Sequence, residues 1–272
     1  MTQESIHHAL TRTLRLAASP LIPALSSANG LVGGGHPSGL AAIGELEITV
    51  LGTPGESGYL IDITVLDRVM REIAAPRFSE SMRSEALTGQ PTDLPALLAE
   101  IARCAASVLP IRVARLCYRA NPFRGCSIEW SSRQDLPAMP TAILTETFEF
   151  AASHRLHLAG CSDEENRRLF GKCNNPNGHG HNYRIEVAAS LSDGSRFGYP
   201  ELEHAVSTEI MARFDHKHLN LDCPEFRDLN PSVENIARVC HDLLAPAIAS
   251  RGAALRFVRV WETEKTSCIY PA

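Results

Sequence analysis

Leu169-Phe170-Gly171-Lys172-Cys173-Asn174-Asn175-Pro176-Asn177-Gly178-His179-Gly180-His181-Asn182-Tyr183 runs directly into the alternating stretch Arg184-Ile185-Glu186-Val187. Alternation of this kind predicts a strand with Ile185 and Val187 on its buried face. Histidines at i, i+2 on a strand point to one side, so His179 and His181 can converge on one metal ion. Cys173 lies six residues before His179, in a turn rich in Gly and Asn. A thiol near a histidine pair at the mouth of a strand reads as an active site, for which the rest of the chain must supply a third ligand and a scaffold.

The alternating run has a counterpart upstream in Glu47-Ile48-Thr49-Val50. Arg15-Leu16-Ala17-Ala18-Ser19-Pro20 matches Glu149-Phe150-Ala151-Ala152-Ser153-His154, Gln90-Pro91-Thr92 matches Asn230-Pro231-Ser232, and Arg112-Val113-Ala114-Arg115-Leu116 matches Arg256-Phe257-Val258-Arg259-Val260. The offset drifts from about 134 to about 144 residues, as loop insertions produce, so the chain reads as two copies of one unit of about 130 residues. Asp135-Leu136-Pro137-Ala138-Met139-Pro140 breaks periodicity and places the boundary at Ser131–Thr141, giving units at 1–135 and 141–272.

Each unit reads as strand, long loop, strand, helix, loop, helix, strand and terminal strand. Leu46, Ile48 and Val50 alternate as a half-buried strand does, and Val65, Leu66, Val69, Met70 and Ile73 follow helical spacing. In the second copy Leu202, Ala205, Val206, Ile210 and Phe214 share a helical face. A final helix carries Val233, Ile236, Ala237, Cys240, Leu243 and Leu244, with Asn230 as expected N-cap, Pro231 at its first position and Pro246 kinking or ending it. The fold class is α+β: four antiparallel strands per unit with two helices on one face. Such a sheet has two open edges, which closure into a barrel through oligomerisation would remove.

Composition narrows the partners. Hydrophobic content of 44%, charge of 21% and a net charge of −5 without a basic run describe a soluble globular chain whose partner is neither nucleic acid nor an anionic membrane. Met1-Thr2-Gln3-Glu4-Ser5-Ile6-His7-His8 has no basic or apolar signal region, and no apolar stretch reaches membrane-spanning length. Eight scattered cysteines without a Cys-x-x-Cys pair point to free thiols in a reducing cytoplasm.

His154 is the candidate third ligand, because it ends the apolar run Phe148–Ala152 and a strand ending there can lie beside the His179 strand. Three imidazoles with one open position describe a catalytic zinc centre, whereas eleven histidines in the chain also allow a chance His-x-His. The first copy favours the centre: Pro20, Ala42 and Gly44 stand opposite His154, His179 and His181, so all three are lost together. Zinc and Lys172 would favour a Cys173 thiolate, usable as base or nucleophile. Asp215-His216 offers a proton relay or, more blandly, a solvated helix end. Alternation puts Glu262 on the apolar face of Val258 and Val260, where a carboxylate needs a partner such as a paired N–H edge, unless the strand frays there. Tyr118 stands at that position in the first copy.

Phe150-Ala151-Ala152-Ser153-His154-Arg155-Leu156, the stretch from Leu169 to Tyr183, Asp215-His216-Lys217-His218-Leu219-Asn220-Leu221-Asp222 and Trp261-Glu262-Thr263 together resemble the 6-pyruvoyl tetrahydropterin synthase family. The resemblance spans most of 147–270 and makes the first copy look like a degenerate unit of the same tunnelling fold. It implies Zn²⁺ on His154, His179 and His181, Cys173 as proton-abstracting base, Asp215 and His216 as its relay, and Glu262 as anchor of the pterin's 2-amino and N3 edge, with Glu234 nearby. It implies 7,8-dihydroneopterin triphosphate as substrate, triphosphate as leaving group and no redox cofactor, since the ring gains the hydrogens the side chain loses. The sister branch, the 6-carboxytetrahydropterin synthases of queuosine biosynthesis, shares the ligands but usually sets its cysteine three residues before His-Gly-His. The five residues between Cys173 and His179 favour the pyruvoyl branch. A pterin-binding protein without turnover is the reading from another class. Arg196-Phe197-Gly198-Tyr199-Pro200 departs from the family's Gly-Met-Val-x-Asp/Asn, of which the first copy keeps a version in Gly58-Tyr59-Leu60-Ile61-Asp62. The family's trimeric barrels imply a homotrimer of tandem chains with three active sites.

Overall fold

The computed structural model describes residues 8–18, 42–130, 140–192 and 194–272. Contacts divide the chain into two compact units at Ile143/Leu144. Of the boundary segment Ser131–Thr141 only Pro140 and Thr141 belong to the described residues, and Pro20 lies outside them.

The first unit contains β1 (His8–Ala18), β2 (Ala42–Gly52), α1 (Ile63–Val69), a π-helical turn at Met70–Ala74, α2 (Ala75–Thr88), α3 (Leu94–Val108), β3 (Arg112–Asn121) and β4 (Arg124–Glu129). Its strands lie in the order β1-β2-β3-β4, each antiparallel to the next. Leu46, Ile48 and Val50 of β2 are fully buried, as their alternation predicts, and α3 covers β3 and β4 with Leu98, Ile101, Ala102 and Ala105. Asp62 caps α1 by accepting the Thr64 N–H at 2.9 Å.

The second unit contains β5 (Thr141–His154), α4 (Asp163–Phe170), a 3₁₀ turn at Gly171–Asn174, β6 (His179–Leu191), α5 (Tyr199–Val206), a π-helical turn at Ser207–Met211, α6 (Ala212–Phe214), β7 (Lys217–His218), α7 (Leu219–Asp222), α8 (Val233–Ala249), β8 (Ala253–Thr263) and β9 (Thr266–Tyr270). The sheet order is β5-β6-β8-β9, with β6/β8 and β8/β9 antiparallel. Val206, Ile210 and Phe214 from the first helical layer and Ile236, Cys240 and Leu244 from α8 are buried, as are Phe150, Ile185, Val187, Val258 and Val260 of the sheet. Each such large side chain contributes about 1.5–3 kcal/mol on burial, which fixes the face on which the helices sit.

Three details differ from the sequence expectation. The sheet is not purely antiparallel, because β7 pairs in parallel with Ala152 and Ser153 of β5. The chain turns back there through His216, whose φ of 57° lies in the left-handed region. The last helix starts at Val233, capped by the Ser232 hydroxyl rather than by Asn230. Asn230 instead accepts the His157 N–H at 3.0 Å, so the residues before α8 serve the loop after β5. Pro246 does not end α8, which continues to Ala249 with Leu244 and Ile248 buried on either side. The atypical Arg196–Pro200 segment buries Phe197 and opens α5, where the Gly198 N–H donates to Glu201 Oε2 at 2.8 Å.

Candidate metal centre

His179, His181, Tyr183, Ile185 and Val187 alternate inward along β6, and Tyr183, Ile185 and Val187 are fully buried. The neighbouring β5 ends at His154, itself fully buried. Gly178 lets the two strands meet. Its φ is 73°, and a Cβ there would stand 3.0 Å from the His154 carbonyl oxygen and 2.8 Å from His218 Nε2. The ligand atoms of His154, His179 and His181 consequently lie within 4.8 Å of one another.

The donor chemistry fits a metal ion. His154 Nδ1 is 2.7 Å from the Pro231 carbonyl oxygen, which can only accept, so Nδ1 carries the proton and Nε2 the lone pair. That Nε2 is 3.1 Å from His179 Nε2. Zinc–nitrogen bonds of about 2.0–2.1 Å at a tetrahedral angle put two ligand nitrogens about 3.3 Å apart. His181 Nε2 is buried without a hydrogen-bond partner, as a nitrogen reserved for an ion would be. Burial lowers the His154 pKa to about 4 and also lowers that of His181, keeping both rings neutral and able to ligate at neutral pH.

Glu262 reaches this cluster. Its Oε1 is 3.4 Å from His154 Nε2 and 3.6 Å from His181 Nε2, so the carboxylate faces the same point as the ligating nitrogens, and His154 Nε2, which bears a lone pair, does not supply the donor that its apolar strand face requires. Glu234 is exposed in the first turn of α8, on the side of Cys268, whose thiol is pushed up by burial and by the Glu234 charge. Cys173 is half-buried on the 3₁₀ turn, and its carbonyl accepts the Leu156 N–H at 2.9 Å. Tyr183 links the two regions: its hydroxyl is 3.4 Å from His154 Nδ1, and its pKa is raised by burial, then by Glu262 and Cys173.

Asp215 and His216 are docked on β5. Asp215 Oδ1 accepts the Ala151 N–H at 2.9 Å, and the His216 N–H donates to the Ala151 carbonyl at 2.6 Å. His216 Nδ1 lies 2.9 Å from Asp215 Oδ1, with the imidazole 81% exposed. The Ala151 N–H and then His216 hold the Asp215 carboxyl below its usual range. A cavity of about 700 Å³ is lined by Ser153, His181, Asn182, His216, Lys217 and His218. Sequence reasoning missed the Pro231 carbonyl, the Tyr183 hydroxyl and His218, which packs over Gly178 and adds to the charge acting on His154. The doublet Asn230-Pro231 ahead of a helix is the available signal, and by itself it indicates only a cap.

The sequence model of the 6-pyruvoyl tetrahydropterin synthase family matches residues 143–272. The 6-pyruvoyl tetrahydrobiopterin synthase of Poecilia reticulata is 38% identical over 139 residues, covering 49% of this chain and 92% of that protein. This chain belongs to the 6-pyruvoyl tetrahydropterin synthase family. The human 6-pyruvoyl tetrahydrobiopterin synthase is likewise 38% identical, over 133 residues covering 90% of its length. The solved 6-pyruvoyl tetrahydropterin synthase of Caenorhabditis elegans is 32% identical, with a TM-score of 0.45, covering 49% of this chain and 97% of that one. The family match thus falls on the second unit, and His154, His179, His181, Cys173, Asp215, His216 and Glu262 all lie within it.

Proposed function

We propose that the second unit is a zinc-dependent carbon–oxygen lyase that converts 7,8-dihydroneopterin triphosphate to 6-pyruvoyl tetrahydropterin with loss of triphosphate. The observation that carries this reading is the convergence of His154, His179 and His181, with His154 held in the ligating tautomer by Pro231, inside the segment that matches the family. When bound, zinc supplies a Lewis acid for the side-chain oxygens of the substrate. Glu262 accepts from the pterin's 2-amino and N3 edge and fixes the ring. Cys173 takes a proton from the side chain, and the Asp215–His216 pair returns protons, so hydrogens leaving the side chain end on the ring and no external oxidant is required. Glu234 serves the pterin site from the start of α8.

We further infer that the first unit is a degenerate copy without metal ligands. Setting aside α4, β7, α7 and the 3₁₀ turns, which occur in the second unit, both units run strand, strand, helix with a five-residue π turn, helix, strand, strand. The register of β2 on β3 sets Ile48 opposite Leu116 and Leu46 opposite Tyr118, and β6 on β8 sets Ile185 opposite Val260. These registers support Tyr118 as the counterpart of Glu262, and its ring lies within 2.5 Å of where a Cβ on Gly44, the proposed counterpart of His181, would be. The space for a ligand is filled by a tyrosine. On this reading the tandem chain assembles as a cytoplasmic trimer with three active sites; a stable monomer in light scattering would contradict that assembly. Turnover is tested by incubating metal-loaded protein with the pterin triphosphate. Triphosphate should appear, and Cys173→Ala should lower its rate at least 10²-fold; an undiminished rate would remove Cys173 as the base.

A further inference from the structure

The four residues after His154 form neither helix nor strand, yet each of their backbone N–H groups has an acceptor. Arg155 donates to Asn220 Oδ1 at 2.9 Å, Leu156 to the Cys173 carbonyl at 2.9 Å, His157 to Asn230 Oδ1 at 3.0 Å and Leu158 to Asn166 Oδ1 at 2.8 Å. The amides also give back: Asn220 Nδ2 donates to the Arg155 carbonyl at 3.1 Å, Asn174 Nδ2 to the Leu156 carbonyl at 2.7 Å and Asn166 Nδ2 to the Leu158 carbonyl at 3.0 Å. An asparagine side chain carries one acceptor and one donor group, as a peptide edge does, so these pairs replace strand pairing along an irregular segment.

We propose that Asn174 is the positioning residue that holds Cys173 against the strand end carrying His154. Three of the four asparagines grip the segment from elsewhere, whereas Asn174 adjoins the cysteine on the same 3₁₀ turn. Leu156 is clasped by two consecutive residues, its N–H by the Cys173 carbonyl and its carbonyl by the Asn174 amide. Asn174 Nδ2 is also 3.1 Å from His157 Nδ1, and its backbone carbonyl accepts from Arg155 Nε at 3.3 Å. The side chain is buried, so losing its donors leaves the Leu156 carbonyl without that partner in a place water does not readily restore. Among the described residues, the hydrogen bonds then left between the thiol's turn and the segment are those from the Leu156 N–H and the Arg155 side chain.

This inference rests on Cys173 being the proton-abstracting group, and its test reads the two ideas separately. Asn174→Ala and Asn174→Leu are prepared in the full metal-loaded chain, each with and without Cys173→Ala; the Leu variant keeps the branched size and removes the amide donors without adding a charge, should the Ala variant fail to fold. Metal content should stay at the wild-type level, and Cys173, followed by peptide mass, should be alkylated by iodoacetamide at least three-fold faster. Triphosphate release should fall ten-fold or more in kcat with KM within two-fold, and in the Cys173→Ala background the Asn174 change should alter the residual rate less than two-fold. Alkylation within two-fold of wild type in both variants would overturn the proposal, as would a full additional loss in the Cys173→Ala background or loss of metal in step with activity. Equal turnover by wild type and Cys173→Ala would instead sink the base assignment, while the alkylation rates would still decide whether Asn174 holds the thiol.

Discussion

His154 Nδ1 and the Pro231 carbonyl oxygen stand 2.7 Å apart, joining the end of β5 to the residue pair that precedes α8. The contact fixes which ring nitrogen faces His179 and His181 and so couples the orientation of the ligand to the start of the helix. His154→Ala or His179→Ala should reduce bound zinc from one per chain to below about a tenth, read by elemental analysis after gel filtration. Full zinc in either variant would show that the cluster is not the metal centre.

Burial of neutral His154 has a pH consequence for the metal-free protein. Its folded pKa of about 4 lies below the unfolded value of about 6.5, so the unfolded chain binds more protons between the two. Stability of the second unit is therefore full above pH 6.5 and falls as pH drops toward 4, by roughly 2 kcal/mol at pH 5. The urea midpoint, followed by Trp261 fluorescence in a Trp130→Phe background, should fall accordingly between pH 7 and pH 5. A flat midpoint would contradict the buried neutral state.

Gly178→Ala meets two obstacles at once, a φ of 73° and the His154 carbonyl at 3.0 Å from the new methyl. A cost of about 1–3 kcal/mol is expected, together with weaker metal retention. Adding His218→Ala should recover only part of it, since the side chain at 2.8 Å can be removed but the backbone oxygen cannot. Complete recovery in the double variant would place the whole effect on His218.

Much of this arrangement was legible in the sequence because it follows from period. Alternation along Ile185 and Val187, extended backwards, set His179 and His181 on one face, and the same rule put Glu262 on the face of Val258 and Val260. The contacts that were not legible lie where the chain has no period. Nothing local to Pro231 says that its carbonyl meets His154 across 77 residues, and nothing local to His216 says that a left-handed backbone returns the chain to Ala151. Asn174, Asn220 and Asn230 could be read only as turn or cap residues, because their partners are backbone groups of a distant irregular segment.

Asp215→Asn preserves an oxygen for the Ala151 N–H and removes the charge beside His216. Turnover should fall about 10²-fold with zinc content unchanged, as for loss of a positioned acid–base partner. An unchanged rate would reduce the pair to a structural link between β5 and β7.

Tyr118→Ala in the first unit should cost roughly 2–3 kcal/mol, because the ring lies tilted against Phe78 at 4.7 Å and fills the space over Gly44. Triphosphate release per folded chain should stay at the wild-type level, since the chemistry resides in the second unit. A loss of turnover without loss of folded protein would give the first unit a part in the reaction.

The product itself tests the central claim most directly. Metal-loaded protein incubated with 7,8-dihydroneopterin triphosphate should yield a pterin with the mass of 6-pyruvoyl tetrahydropterin and one triphosphate per turnover. The mass of 6-carboxytetrahydropterin with acetaldehyde would assign the sister reaction, and unchanged substrate alongside bound zinc would contradict a lyase and leave a pterin-binding protein.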